Sequence, residues 1–288
     1  MKKYILIIIA ISFLNINSLI AQDEKPVEKP VRDPWGTTTL VDFATTRNLA
    51  QGSLEMMIHH RFGKFDNGLT DLYGIYASSN IRMGLDYGIN SKLSVGFGTE
   101  KYNKMQEFRL KYSILQQTRS GSMPVDLSYY GNIVIDARDT TFFGTDYKFA
   151  NRFSYFNEII VARKFTHKIS ALVGLSYTHF NSVDSLTRHD IVSCHLGGRY
   201  KIWEGGTFIF EYNLPLDFNV TGNEDYDNFN EIPPAGLSAG LEFGTSTHAF
   251  QIFMSNYENI IQQKNIAYNK NNAADSDFVL GFNITVRF

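Results

Sequence analysis

A chain of 288 residues with a formal net charge of -2 and one cysteine already excludes several classes of protein. The charge balance excludes a strongly basic nucleic-acid surface, and Cys194 alone cannot form an intramolecular disulfide. Phe and Tyr number 23 and 16 against two Trp, an aromatic load that belts at two membrane interfaces would account for.

Lys2 and Lys3 precede an apolar run at 4–14, and a polar-to-small stretch at 15–21 ends before Gln22. This pattern reads as a secretory signal peptide, 1–21, cleaved after Ala21. Its apolar core is too short for a permanent membrane helix. No later apolar run approaches the ~18 residues that a transmembrane helix needs. Residues 22–36 include DEKPVEKPVRDP, charged and with three prolines, and read as an extended periplasmic linker. The stretch 37–47 reads either as a short strand or as a segment tucked into a lumen, and 37–288 as the barrel.

From Ser53 onward the pattern predicts strands at 53–62, 80–89, 92–100, 105–117, 124–138, 149–164, 168–180, 188–202, 206–217, 235–246, 247–258 and 278–288. Side chains alternate between faces along a strand. Apolar residues recur at that period in Leu54/Met56/Ile58, in Ile81/Met83/Leu85/Tyr87 and in Phe208/Phe210/Tyr212/Leu214. The links alternate as well. Short ones fall at 90–91, 118–123, 165–167, 203–205 and 244–247. Longer ones fall at 63–79, 139–148, 181–187, 218–234 and 259–277, with 101–104 a short exception. Bacterial outer-membrane barrels have short periplasmic turns and longer external loops. The expected fold is therefore all-β: a transmembrane antiparallel up-and-down β-barrel of about 12 strands, with both termini on the periplasmic side.

The last predicted strand, FVLGFNITVRF at 278–288, places Phe282, Ile284, Val286 and Phe288 on one greasy face and ends on Phe288. A terminal aromatic strand of this kind resembles the signal that outer-membrane barrels present to their assembly machinery.

The opposite, inward set is charged in both signs. It comprises Glu55, His59, Arg61, Arg82, Asp86, Glu107, Arg109, Lys111, Asp126, Asp136, Arg152, Glu158, Arg199, Glu211, Glu242 and Arg287, with His189 and His195. Arg or Lys on the lipid side at the midplane would cost about 2–4 kcal/mol, so these residues are expected to line the lumen. Inward glycines, among them Gly96 and Gly174, make room for long side chains on neighbouring strands. Tyr87, Tyr112, Tyr155, Tyr177, Tyr200 and Trp203 face outward near strand ends, as an aromatic girdle requires.

The runs SLEMMIHHRFGKFDNG, SNIRMGLDYGINSKLSVGFGTEKYNK and EFRLKYSILQQ resemble an uncharacterised bacterial family of membrane-bound β-barrels, a domain of unknown function. The resemblance runs from about Thr37 to Phe288 and is most specific at His59–Gly63 and Ile81–Gly88. It implies a barrel and an outer-membrane address, and no substrate or catalytic residue.

Candidate chemistry is sparse. His59 and His60 point to opposite faces and cannot share an ion, and His189 and His195 stand about 20 Å apart along one strand. An outer-membrane hydrolase would need a Ser–His pair on the lipid-facing wall. His179 and Cys194 face that way, but the spacing brings no serine to a matching histidine, so no enzyme activity is expected. Glu224, Asp225 and Asp227, with Glu231 nearby, form a weak candidate Ca²⁺ loop, and a solvated acidic loop is the plainer reading. No cofactor is implied. The expected partners are outer-membrane lipid and the barrel-assembly machinery, without nucleic acid.

The expected function is a narrow channel or transporter for small polar solutes or ions. The alternative is a plugged barrel that presents external loops or its N-terminal linker to a partner.

Overall fold

The computed structural model describes residues 28–217 and 232–288. Twelve strands form one closed sheet, each hydrogen-bonded to its sequence neighbours: β1 Leu54–Lys64, β2 Asn80–Gly88, β3 Leu93–Glu100, β4 Met105–Leu115, β5 Asp126–Asp136, β6 Phe153–Lys164, β7 Ile169–Phe180, β8 Asp190–Trp203, β9 Gly206–Pro215, β10 Gly236–Gly244, β11 His248–Ser255 and β12 Val279–Arg287. All pairs are antiparallel, and β12 closes on β1 with Glu55 opposite Arg287 and His59 opposite Asn283. The seam continues to the last residue, where Phe288 and Leu54 exchange backbone hydrogen bonds of 2.9 and 3.2 Å. Closure leaves no unpaired edge, which is the condition for a sheet to stand in lipid. No described helix is long and apolar enough to cross a membrane; the strands do the crossing.

The outer surface is apolar because the period-2 pattern puts one set of side chains there. Met83, Leu85, Phe97, Phe108, Ile133, Ile159, Leu175, Leu196 and Ile252 are all exposed. Tyr87, Tyr112, Tyr200 and Trp203 lie on that surface near the end carrying the termini (the inner mouth), with Tyr155 and Tyr177 near the other end. The polar Asn157 shares this face, and its side-chain oxygen accepts a 2.5 Å bond from the Tyr129 hydroxyl on the adjacent strand. That bond answers the cost of a polar group facing hydrocarbon.

The hydrophobic core lies inside the barrel. Trp35, Leu40, Val41, Phe43 and Ala44 of the segment before β1 pack with Phe156, Ile160, Leu172, Ile191, Ile209 and Phe253 of the wall. Tyr257, Ile266 and Ala267 join them from the β11–β12 connection. That connection was expected to be an external loop. Much of it instead folds inward, where α1, Gln262–Tyr268, buries six of its seven residues. Ile261 packs on Met105 and Val134, while Ile266 and Ala267 pack against a wall strand that is apolar on both faces, YFNEIIVA in β6. A strand greasy on both faces must be covered on both. Lipid covers one side here, and the two inserted segments cover the other.

Candidate functional site

The lumen is the candidate site, and the wall, the N-terminal segment 35–47 and the α1 connection build it. Among the wall charges, Arg82 on β2 pairs with Glu107 on β4, and Asp86 on β2 accepts a 2.6 Å bond from Arg109 on β4. These partners stand two strands apart, and β3 between them carries Gly96 and Gly98 on the inward face. A Cβ at Gly96 would run into the Asp86 carboxylate, so the missing side chain is what lets the charges meet across the strand. The same device recurs at Gly174 on β7, beneath Glu158, whose carboxylate lies 3.0 Å from His195 Nδ1. Arg199 and Glu242 approach to 3.5 Å, and Arg287 donates to Glu55 at 2.8 Å. The pairs run along the wall, and contact across the lumen goes through the inserted segments.

The N-terminal segment is held by wall charges. Glu211 accepts from the Asp42 and Phe43 backbone N–H groups at 2.7 and 3.2 Å. Glu242 accepts from Thr37 at 3.1 Å, Glu55 from Thr38, and Asp126 from Thr46 at 3.3 Å. Lys111 donates to the Thr38 carbonyl at 3.2 Å, and Arg287 to that of Gly36 at 2.5 Å. At the tip, Asp42 pairs with the fully buried Arg61 at 2.8 Å and accepts from Ser238 at 3.2 Å. Gln262 of α1 donates to the Asp42 carbonyl at 2.8 Å, and Asn265 to its carboxylate at 3.3 Å. The two insertions therefore meet at Asp42. Gln263 donates to Asn132 of β5, which donates in turn to Gln262 and to Glu107.

Among the described residues, open spaces remain on both sides of the insertions and between them. An outer vestibule of about 650 Å³ is bounded by Asp136, Arg138, Arg152, Lys264 and Tyr268. An inner vestibule of about 430 Å³ is bounded by Trp35, Arg47, Lys164, Arg199, Glu242 and Arg287. A cavity of about 20 Å³ beside Thr38, His59, Arg82, Asp86 and Lys111 lies between the two insertions. That is room for about one water molecule.

Of the eighteen residues expected in the lumen, sixteen lie on inward wall positions, and Arg152 and His189 do not. Arg152 ends a short 3₁₀ turn, Phe149–Arg152, and donates to the carbonyls of Asp136 and Arg138 at 2.7 Å each, bracing the outer rim. The run 149–152 turns instead of continuing the strand, with Phe149 packed edge-on against Phe153 at the start of β6. His189 also precedes its strand, with its ring 2.6 Å from the Phe180 carbonyl. His60 faces outward and stacks on Phe282 at 4.8 Å. His179 lies 2.7 Å from Asp190 near the outer rim. Glu224, Asp225, Asp227 and Glu231 fall outside the described residues, among which no three metal-ligating side chains are grouped for an ion. The insertions were not resolved by sequence, although the doubly apolar β6 and the Gln/Asn-rich stretch QQKNIAYNKNN were the available signals.

These features define a transmembrane up-and-down barrel whose lumen is occupied by its own chain. Residues 36–288 match the family described as a membrane-bound β-barrel domain, a domain of unknown function, and the protein belongs to it. No curated protein matches. Among solved structures, an outer-membrane channel from Pseudomonas putida F1 is 11% identical, with a TM-score of 0.49 over 86% of this chain and 100% of its own. The NanC porin is 10% identical, with a TM-score of 0.48 over 82% and 98%. The KdgM porin is 8% identical, with a TM-score of 0.45 over 82% and 98%. At these values no solute or mechanism carries over.

Proposed function

We propose that this protein is an outer-membrane channel of narrow bore for small polar solutes or ions, closed here by segment 35–47. One observation carries the reading. Together with α1 the segment separates vestibules of about 650 and 430 Å³; it joins the barrel covalently at β1 alone, and charged wall groups form many of its bonds. Such bonds can be exchanged for water at the inner mouth, so withdrawal leaves the wall intact. Twelve strands enclose less space than the 16–18 strands of open porins. In planar bilayers the full chain should show no unitary conductance, or one well below that of a general porin. Deleting residues 29–47 should produce stable steps. Silence from a deletion variant that still forms a heat-modifiable barrel would overturn the channel reading. It would favour a binding barrel instead, a reading that the exposed Leu69 and Tyr76 on the β1–β2 loop also support.

Assembly of the wall is assigned to the terminal strand. Phe288 is 72% exposed beside the β1–β12 seam, where an apolar ring is free to be read by the assembly machinery. Phe288→Asp should lower the heat-modifiable barrel recovered from outer-membrane fractions severalfold, and equal recovery would remove that role.

A further inference from the structure

The chain as a whole is nearly neutral, yet the inner vestibule is not. Arg47 of the inserted segment, Lys164 at the end of β6, Lys168 in the next turn, Arg199 and Lys201 of β8, and Arg287 of β12 bound one space of about 430 Å³. Three carboxylates answer these six cations, and all three are engaged: Asp33 with Arg47 at 3.8 Å, Glu242 with Arg199 at 3.5 Å, and Glu55 with Arg287 at 2.8 Å. Asp33 is largely exposed, so its pair is screened. Among the described residues Lys164 donates only to neutral carbonyls, those of Arg32 and Asp33 at 2.6 and 3.4 Å. Among the described residues Lys168 and Lys201 form no ion pair. The outer vestibule is different, for its Arg138, Arg152, Lys264 and Lys270 face Asp136, Asp184 and Glu258 at near balance.

We infer that the inner vestibule is a binding site for a soluble multivalent anion, a polycarboxylate or polyphosphate of modest size, which bridges Arg47 of the inserted segment to Lys164, Lys201 and Arg287 of the wall. The volume suits a small-molecule site. Convergent cations with surplus charge favour anionic groups at hydrogen-bond range. Burial, and after it the neighbouring Arg287, hold the Arg47 guanidinium below its ordinary pKa. Lys164, Arg199, Lys201 and Arg287 share the inward phase of their strands, so the cluster opens toward the lumen and away from the surrounding headgroups. Because Arg47 and the Gly36 carbonyl held by Arg287 belong to the insertion, a bound anion should also fasten the insertion in place.

The test uses the full-length protein in zwitterionic nanodiscs, with inorganic pyrophosphate as the probe followed by calorimetry. Trp35 fluorescence is read in a Trp203→Phe background. Saturable binding is expected, weakened at least tenfold in Lys164→Gln/Lys201→Gln and unchanged in Lys92→Gln, a lysine in a different inner turn. Pyrophosphate should also reduce acrylamide quenching of Trp35. Absence of saturable binding at millimolar pyrophosphate, or equal affinity in the double variant, would overturn the site. Displacement of pyrophosphate by phosphatidylglycerol in the nanodisc would overturn its assignment to a soluble anion, because lipid headgroups would then be the occupant.

Discussion

The two segments that fill the lumen are held by different chemistry. Segment 35–47 enters from the inner mouth with one end fixed to β1, and its bonds run largely to ionised groups: Glu55, Glu211, Glu242, Asp126, Lys111 and Arg287. The α1 connection is fixed at both ends, to β11 and β12, and is held by amides and apolar contacts. Asn256 and Asn271 exchange side-chain-to-carbonyl bonds of 2.9 and 3.1 Å, and Tyr257 donates to Asn213 at 3.1 Å. A hydrogen bond to a charged group contributes about 1.5–3 kcal/mol, against about 1 kcal/mol for a neutral one. Either partner of a charged bond is also well hydrated when released. The first segment is therefore strongly held, with a covalent tie at β1 and, just before its other end, only hydrogen bonds such as Val31 N–H to the Gln117 carbonyl at 2.8 Å. The second is a permanent part of the core, whose removal would expose Ile261 and Ile266.

Asp42, where the two segments meet, is the most sensitive point of that contrast. Asp42→Ala leaves the buried Arg61 without its partner, a loss of about 3–5 kcal/mol for a broken buried pair. The N-terminal segment should be released, which acrylamide quenching of Trp35 in the Trp203→Phe background would register, since Trp35 is 1% exposed when docked. Adding Arg61→Met should restore most of the protection. Unchanged quenching in Asp42→Ala would mean that the segment does not depend on this joint.

A smaller effect is expected at Glu211, whose carboxylate receives two backbone N–H groups. Glu211→Gln keeps the shape but loses charge assistance, so docking should weaken by about 1–2 kcal/mol. Trp35 protection should fall in proportion while α1 stays protected in hydrogen exchange. Equal loss of protection in both segments would show that they release as one body and would erase the distinction between them.

The smallest effect concerns α1 alone. Burial lowers the Lys264 pKa to about 8, outweighing nearby carboxylates such as Asp136. The docked state therefore disfavours the charged lysine. Where the undocked lysine holds more protons than the docked one, stability rises with pH, and this window runs from about 8 to the ordinary lysine value near 10.5. Hydrogen-exchange protection of α1, corrected for the intrinsic exchange rate, should increase modestly between about pH 7 and pH 9.5. Lys264→Met should remove the slope, and a slope that persists in that variant would assign it to another group.

The wall was largely legible in sequence. All twelve strands appear within a few residues of expectation, because face alternation is a local, period-2 property that lipid on one side enforces. The outward belt, the His59/His60 division of faces and the seam at β12 follow from the same alternation. Arg152 departs from it because the aromatic loop before β6 takes its own turn. What fills the barrel was decided by tertiary structure. The stretch TTTLVDFATTR reads as a short strand or a lumen segment and the α1 connection as an external loop, since many of their polar groups are answered by wall residues as many as 242 positions away, as with Asn283 and the Val41 carbonyl. Ion pairing that skips a strand over a glycine, and six cations gathered at one mouth of a nearly neutral chain, likewise depend on closure of the sheet. Alternation determines which way each side chain points, but only the closed barrel determines what it meets there.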